Sequence, residues 1–165
     1  MDRRQFLLII SAAAALLGTA RTGHAECGEQ TANEFVHALY ERQAELLAAN
    51  TPLSDDEFYE LFTRHLQRLM KAPRRAGNNQ PIGPVLNAFF GWGVLPGSKV
   101  KIGTITLVSG NYEGPATVGV DVSTGAGKRR ILVHVVRRYE VWHVANIIYD
   151  SGKSLVSHYR GMWNG

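Results

Sequence analysis

The chain has 165 residues, a formal net charge of +4 and a single cysteine. That length suits one domain. The small charge gives no reason to expect a nucleic-acid partner, and a lone cysteine excludes an internal disulfide.

Residues 1–25 read as a signal peptide. Arg3 and Arg4 form a basic start, Leu7–Ala20 is an uncharged, mostly apolar run of 14 residues, and Gly23-His24-Ala25 puts small residues where a signal peptidase reads them. The run is shorter than the ~20 residues that span a bilayer, and no later run is apolar for long enough. The expectation is an exported, soluble, periplasmic protein with no membrane span. Arg3-Arg4-Gln5-Phe6-Leu7 resembles the twin-arginine export motif, with Asp2 where Ser or Thr is usual, and Arg21 suits that route. An ordinary export signal is the alternative. Cleavage after Ala25 removes three basic residues and one acidic residue, lowering the charge by two, to +2. Cys27 follows Glu26 rather than a small residue, which argues against a lipid anchor. It is left as a free thiol or as a bridge between two chains.

Residues 26–165 read as a single α+β domain. Thr31-Ala32-Asn33-Glu34 is a capping box that opens a helix. Phe35, Val36, Leu39, Tyr40, Leu46 and Leu47 give it an apolar stripe, and Pro52 ends it near Asn50. Ser54-Asp55-Asp56-Glu57 is a second capping box, with Leu53 and Phe58 placed as a hydrophobic staple. The second helix is expected to continue through Phe62 and Leu66 to Lys71, before Pro73. Residues 72–81 read as a loop and Val85–Phe90 as a short third helix. In Gly91-Trp92-Gly93 the predicted arrangement is a loop laid over the core and anchored by the indole.

From Lys99 the period changes to two. Val100 and Ile102 share one face, whereas Ile105 and Leu107 have the opposite parity, so Gly103-Thr104 reads as a bulge. Val118, Val120 and Val122 form one face of a second strand over 116–122. Gly125-Ala126-Gly127 is a hairpin turn. Strands over 129–137 and 141–149 follow, joined at Tyr139-Glu140. Helices followed by hairpin-linked strands predict helices packed on a curved four-stranded antiparallel sheet, with a pocket between its concave face and the first helix.

The closing pattern Trp142-His143-Val144-Ala145-Asn146-Ile147 resembles the last strand of the cystatin-like, nuclear-transport-factor-two-like superfamily. That resemblance implies a cone-shaped α+β domain. Trp142, Val144, Ile147, Tyr149, Gly152, Ser154 and Leu155 are similar to the ending of an exported bacterial domain family of unknown function. Gly152-Lys153-Ser154-Leu155, Tyr159-Arg160 and Trp163 are similar to periplasmic phospholipid carriers of the MlaC type. The chain departs from the carriers in having Asn146 where they have Asp, a different turn length and a shorter helical front half.

Relatives with this fold include isomerases and dehydratases, so Asp121, His134 and His143 are the candidates for acid–base work. Asp121 and His134 have the parity opposite to the valine and isoleucine rows, which puts them on the outer face. His143 reads as a surface strand residue and His65 as a helix flank. No pair of histidines has metal-ligand spacing, and neither a phosphate loop nor a nucleophile elbow occurs. No cofactor or metal is expected. Arg74-Arg75, Lys128-Arg129-Arg130 and Arg137-Arg138 are basic clusters, the last two at opposite ends of one strand. The predicted function is a non-enzymatic binding or interaction domain for a small apolar ligand, a lipid or a protein partner. Phe35, Leu39, Phe62, Val120, Val133, Trp142 and Ile148 are expected to line its pocket or core. A phospholipid carrier and a small isomerase-like enzyme are the alternatives.

Overall fold

A computed structural model of the chain describes residues 30–72, 87–111 and 114–161. Residues 1–25, where an export signal is expected, Cys27, Arg74-Arg75 and Trp163 lie outside the described residues. The architecture is α+β. Three helices, α1 (Ala32–Ala48), α2 (Asp55–Glu60) and α3 (Arg64–Lys71), precede four strands, β1 (Lys101–Gly110), β2 (Ala116–Thr124), β3 (Gly127–Arg138) and β4 (Val141–Ile148), and a helix α4 (Leu155–Gly161). The strands form one antiparallel sheet in the order β1-β2-β3-β4. No helix among the described residues is long and apolar enough to cross a membrane.

Both capping boxes form. Thr31 N–H donates to Glu34 Oε2 at 2.8 Å while Thr31 Oγ1 accepts from Glu34 N–H, and Ser54 and Glu57 do the same for α2. Each box satisfies two of the amide donors that a helix start leaves without partners. At the other end of α1, Asn50 takes a left-handed conformation (φ 53°), Asn50 N–H donates to Leu47 O and Thr51 N–H to Leu46 O. This is a Schellman ending, completed one residue before Pro52.

The single helix expected from Ser54 to Lys71 is broken. Leu61 O accepts from Val144 N–H at 2.8 Å and Thr63 N–H donates to Val144 O at 2.9 Å, so Phe62 bridges β4 in parallel. This short extended segment occupies part of the free edge of β4, whose amides would otherwise lack partners. Thr63 then caps α3, its Oγ1 accepting from Leu66 N–H. The apolar spacing of Phe58, Phe62 and Leu66 fits a continuous helix. The pull of the sheet edge breaks it, and Phe62 becomes completely buried.

In β1 the register shifts between Ile102 and Ile105, so that Ile102, Ile105 and Leu107 stand opposite Val122, Val120 and Val118 on one face. The bulge falls where a glycine is needed, because a Cβ on Gly103 would lie 3.1 Å from the Asp121 carbonyl oxygen. A second irregularity, unmarked by glycine or proline, occurs in β4. Its register with β3 slips between Val144 and Asn146. As a result Trp142 and Val144 face inward, and then Ile147 and Tyr149 do. Ile148, expected among the inward residues, is instead half-buried on the other face beside Leu132. The extra residue inverts the alternation that a regular strand would have kept.

One apolar cluster gathers Val36, Leu39 and Tyr40 of α1, Phe62, Leu66, Phe89, Phe90, the inward rows of β2, β3 and β4, and Leu155. Residues 87–90 form a turn, not the end of a helix: Asn87 Oδ1 accepts from Phe89 N–H and Phe90 N–H at 3.0 Å each, and Gly91 N–H donates to Asn87 O. Phe89 and Phe90 are the plugs of this segment, whereas Trp92 is only half-buried, edge-on to His158 at 5.1 Å. The indole is therefore not the anchor. The helix α4 is not among the expected elements, although Leu155, Val156 and Tyr159 stand at helical spacing. It begins where Ser154 N–H donates to Ser157 Oγ and Ser157 N–H to Ser154 Oγ, and Asn146 Oδ1 accepts from Val156 N–H at 3.0 Å.

Candidate functional site

Between the middle of α1 and strands β2–β4, where the pocket is expected, the described side chains pack closely, and the depression of about 340 Å³ bounded by Asn33, Glu34, His37 and Ile105 lies at the β1 edge. Val36, Tyr40, Val118, Val120, Val133 and Val144 are all completely buried there. Phe35 stacks on Trp142 with ring centroids 6.4 Å apart, and Trp142 Nε1 donates to Gln30 O at 2.8 Å. Leu39, Phe62, Val120, Val133 and Trp142 are core residues, with Phe35 half-buried against them. Among the described residues they pack against one another as part of one apolar cluster.

The groove lies beyond the end of the sheet-facing stripe. Gln43, Leu46 and Leu47 of α1 form one wall, and the Asn50–Leu53 connection and Phe58 of α2 form the next. Phe89 and Pro96 of the segment after Asn87 and Tyr159 of α4 complete it, and the volume is about 460 Å³. None of the described residues that line it carries a charge. The Schellman ending turns the chain back so that Pro52 and Leu53 reach the rim. Gly97 N–H donates to Leu47 O at 2.8 Å, which ties the far loop to the end of α1.

The floor is held by two buried tyrosines. Tyr40 Oη donates to Phe89 O at 3.1 Å and Tyr149 Oη donates to Ala88 O at 2.7 Å. Burial raises both hydroxyls above the ordinary tyrosine value, Tyr40 most strongly. They therefore stay protonated and serve as donors throughout the neutral range. The Tyr149 ring also covers Gly91, whose φ is 84° and where a Cβ would meet that ring at 3.1 Å. Arg129 donates to Trp92 O at 2.9 Å. Side chains from α1, β3 and the end of β4 thus bind three carbonyls of a loop that has no secondary structure of its own. Phe58, Phe62 and Phe89 pack ring against ring below the groove, with centroids 5.0–6.2 Å apart. This arrangement can hold an apolar body on a rigid aromatic floor.

A second depression, of about 460 Å³, is bounded by Trp92, Lys153, Ser154, Ser157 and His158. Its two serine hydroxyls are already engaged in capping α4.

The residues considered for acid–base work do not meet. Asp121 lies on the outer face, 3.3 Å from Arg130, with 43% of its side chain exposed. Arg130 also donates to Thr106 Oγ1 at 2.8 Å and lies over Gly119. His134 is half-buried on that same outer face, between Thr117 and Asn146. His143 contacts its own strand through Val141 O, and His65 is exposed on α3. Lys128-Arg129-Arg130 and Arg137-Arg138 stand at opposite ends of β3. Among the described residues no group of three or more His, Cys, Asp or Glu is placed to hold a metal ion.

Gln43, Leu46, Leu47, Leu53, Phe58, Phe89 and Tyr159 were not singled out from sequence as a site. The available signal was Leu46-Leu47, which carries the stripe of α1 past the part that the sheet can cover, together with Phe89-Phe90 between two turn residues. The chain gives no match to family models, to curated proteins or to solved structures.

Proposed function

We propose that the chain is an exported, non-enzymatic binding domain of the cystatin-like α+β type, and that it takes a small apolar ligand in the groove between the end of α1, α2 and the loop after Asn87. The carrying observation is the groove itself: about 460 Å³, with no charge on the described residues that line it, floored by Phe58 and Phe89, and formed by a loop that buried tyrosines hold in place. Sites for small molecules are typically mostly apolar, preformed and of this size. Export rests on the basic start, the apolar run and the Gly23-His24-Ala25 cleavage pattern. A carrier holding acyl chains between α1 and the sheet would have to displace Val36, Tyr40 and the valines of β2, so the groove reading is preferred to it. The isomerase-like alternative has the least support, because Asp121 is ion-paired with Arg130 on the far face.

The test is fluorescence titration of the mature protein with the apolar dye N-phenylnaphthylamine, alongside mass spectrometry of what co-purifies from native cells. Saturable brightening is expected. Leu47→Glu, which puts a carboxylate into the lining, should weaken it about tenfold or more. Equal dye binding by both proteins would move the site elsewhere, and none by either would remove the groove reading.

A further inference from the structure

One end of the sheet collects cations. Lys101 of β1 and Lys128 of β3 flank Ser123 of β2, one strand to either side, which sets their backbones about 10 Å apart at one level of the sheet. Lys99 precedes β1, and Lys153 follows β4 on the rim of the depression beside Trp92. All four lysines are exposed. Arg129 and Arg130 belong to the same end but are engaged. Arg129 is 3.9 Å from Asp150 and donates to Trp92 O, and Arg130 is 3.3 Å from Asp121. Asp121 and Asp150 are thus matched by arginines, and no ion pair among the described residues involves the four lysines. Asp55, Asp56 and Glu57 open α2, outside the sheet, and Glu57 faces Arg42 at 3.5 Å.

Like charges gathered within about a screening length repel one another, and a surface of opposite charge relieves that repulsion. The loop that Arg129 fixes through Trp92 O adds exposed apolar surface. Leu95 in that loop is 59% exposed, two residues before Gly97, whose N–H donates to Leu47 O. A lipid surface suits both features. Its phosphates meet lysine heads without having to match them one by one, and an aliphatic side chain beside them enters the boundary with the acyl chains. We propose that this end of the sheet docks on an anionic phospholipid bilayer, with Lys99, Lys101, Lys128 and Lys153 against lipid phosphates and Leu95 in the acyl boundary. The contact is peripheral and does not depend on a spanning segment. The surface is separate from the groove, whose described lining includes none of these five residues.

The experiment is co-flotation of the mature protein with vesicles of phosphatidylcholine alone and of phosphatidylcholine with about one-third phosphatidylglycerol, at about 50 mM and about 300 mM salt. Binding is expected only to the anionic vesicles, and it should fall steeply at the higher salt. Lys128→Glu should lower the partition coefficient about fivefold or more. Arg138→Glu makes the same change of charge at the opposite end of β3, also at an exposed position, and should lower it less than about twofold. Leu95→Ser should lower it about threefold. Equal binding to both vesicle types, or binding that salt leaves unchanged, would overturn the proposal. An equal loss from Lys128→Glu and Arg138→Glu would assign the effect to net charge and overturn this surface. Capture on soluble polyglutamate without vesicle binding would point to an acidic polypeptide and overturn the lipid assignment. Should Lys128→Glu fail to fold, Lys153→Glu carries the same expectation.

Discussion

Replacing Tyr149 by phenylalanine tests whether its hydroxyl holds the floor of the groove. The ring remains, so its cover over Gly91 is retained and only the 2.7 Å bond to Ala88 O is lost. That carbonyl is then left buried without its donor, a change that costs about 1–3 kcal/mol in comparable sites. For a domain of this size, a loss near the middle of that range lowers the thermal midpoint by about 4–8 °C. The pH dependence is the sharper readout. Burial, aided by the nearby Tyr159, raises the Tyr149 hydroxyl above its ordinary value of 10.0. A raised folded value means that the stabilisation is complete below pH 10 and is lost as pH climbs toward the folded value. Over that window the unfolded chain releases the proton and the folded chain keeps it, so the wild type loses about 1.4 kcal/mol per pH unit through this residue. Tyr149→Phe has no such proton. Urea unfolding at neutral pH should show the variant less stable by about 2 kcal/mol with an unchanged slope, and the gap should narrow as pH rises past 10. Identical urea midpoints at neutral pH, or a gap that stays constant into the alkaline range, would refute the assigned role.

The β3–β4 turn places Tyr139 at φ 51° and Glu140 at φ 65°, with Tyr139 98% exposed. Two residues with positive φ make a type I′ turn, which favours Asn-Gly. Tyr139→Asn with Glu140→Gly should raise stability by about 1 kcal/mol in urea titration, after allowing for the entropy of the added glycine. Phe62→Ala removes a completely buried ring from the segment that bridges β4, and calorimetry should show a loss of about 3–5 kcal/mol or an unfolded chain. A loss below about 1 kcal/mol would mean that the bridge segment is not part of the cooperative core. Expressed in a bacterial host, the chain should be recovered from the periplasm with Glu26 as its first residue. Arg3→Lys with Arg4→Lys should retain it in the cytoplasm if export follows the twin-arginine route, whereas unimpaired export would assign it to the general channel.

Much of the fold was legible from neighbours close in sequence. The two capping boxes, the valine row of β2 and the phase flip at Gly103 each depend on residues a few positions apart, and each forms as read. The misreadings share a cause. Leu61–Thr63 looks helical until the free edge of β4 supplies better partners for its backbone. Ile148 looks inward until the extra residue near Ala145 reverses the parity. The first turn of α4 depends in part on Asn146, ten residues away from the amide it caps.

What the residues determined unaided was therefore local: where helices start, which face of each regular strand is apolar, and that the N-terminus has the pattern of an export signal. Only the tertiary structure decided that the described side chains between the middle of α1 and the sheet would pack as core and that a groove would open at the end of α1. Close packing is a property of volumes that meet from several elements. The groove is likewise walled by α1, α2, the loop after Asn87 and α4, segments whose separation along the chain hides that they converge.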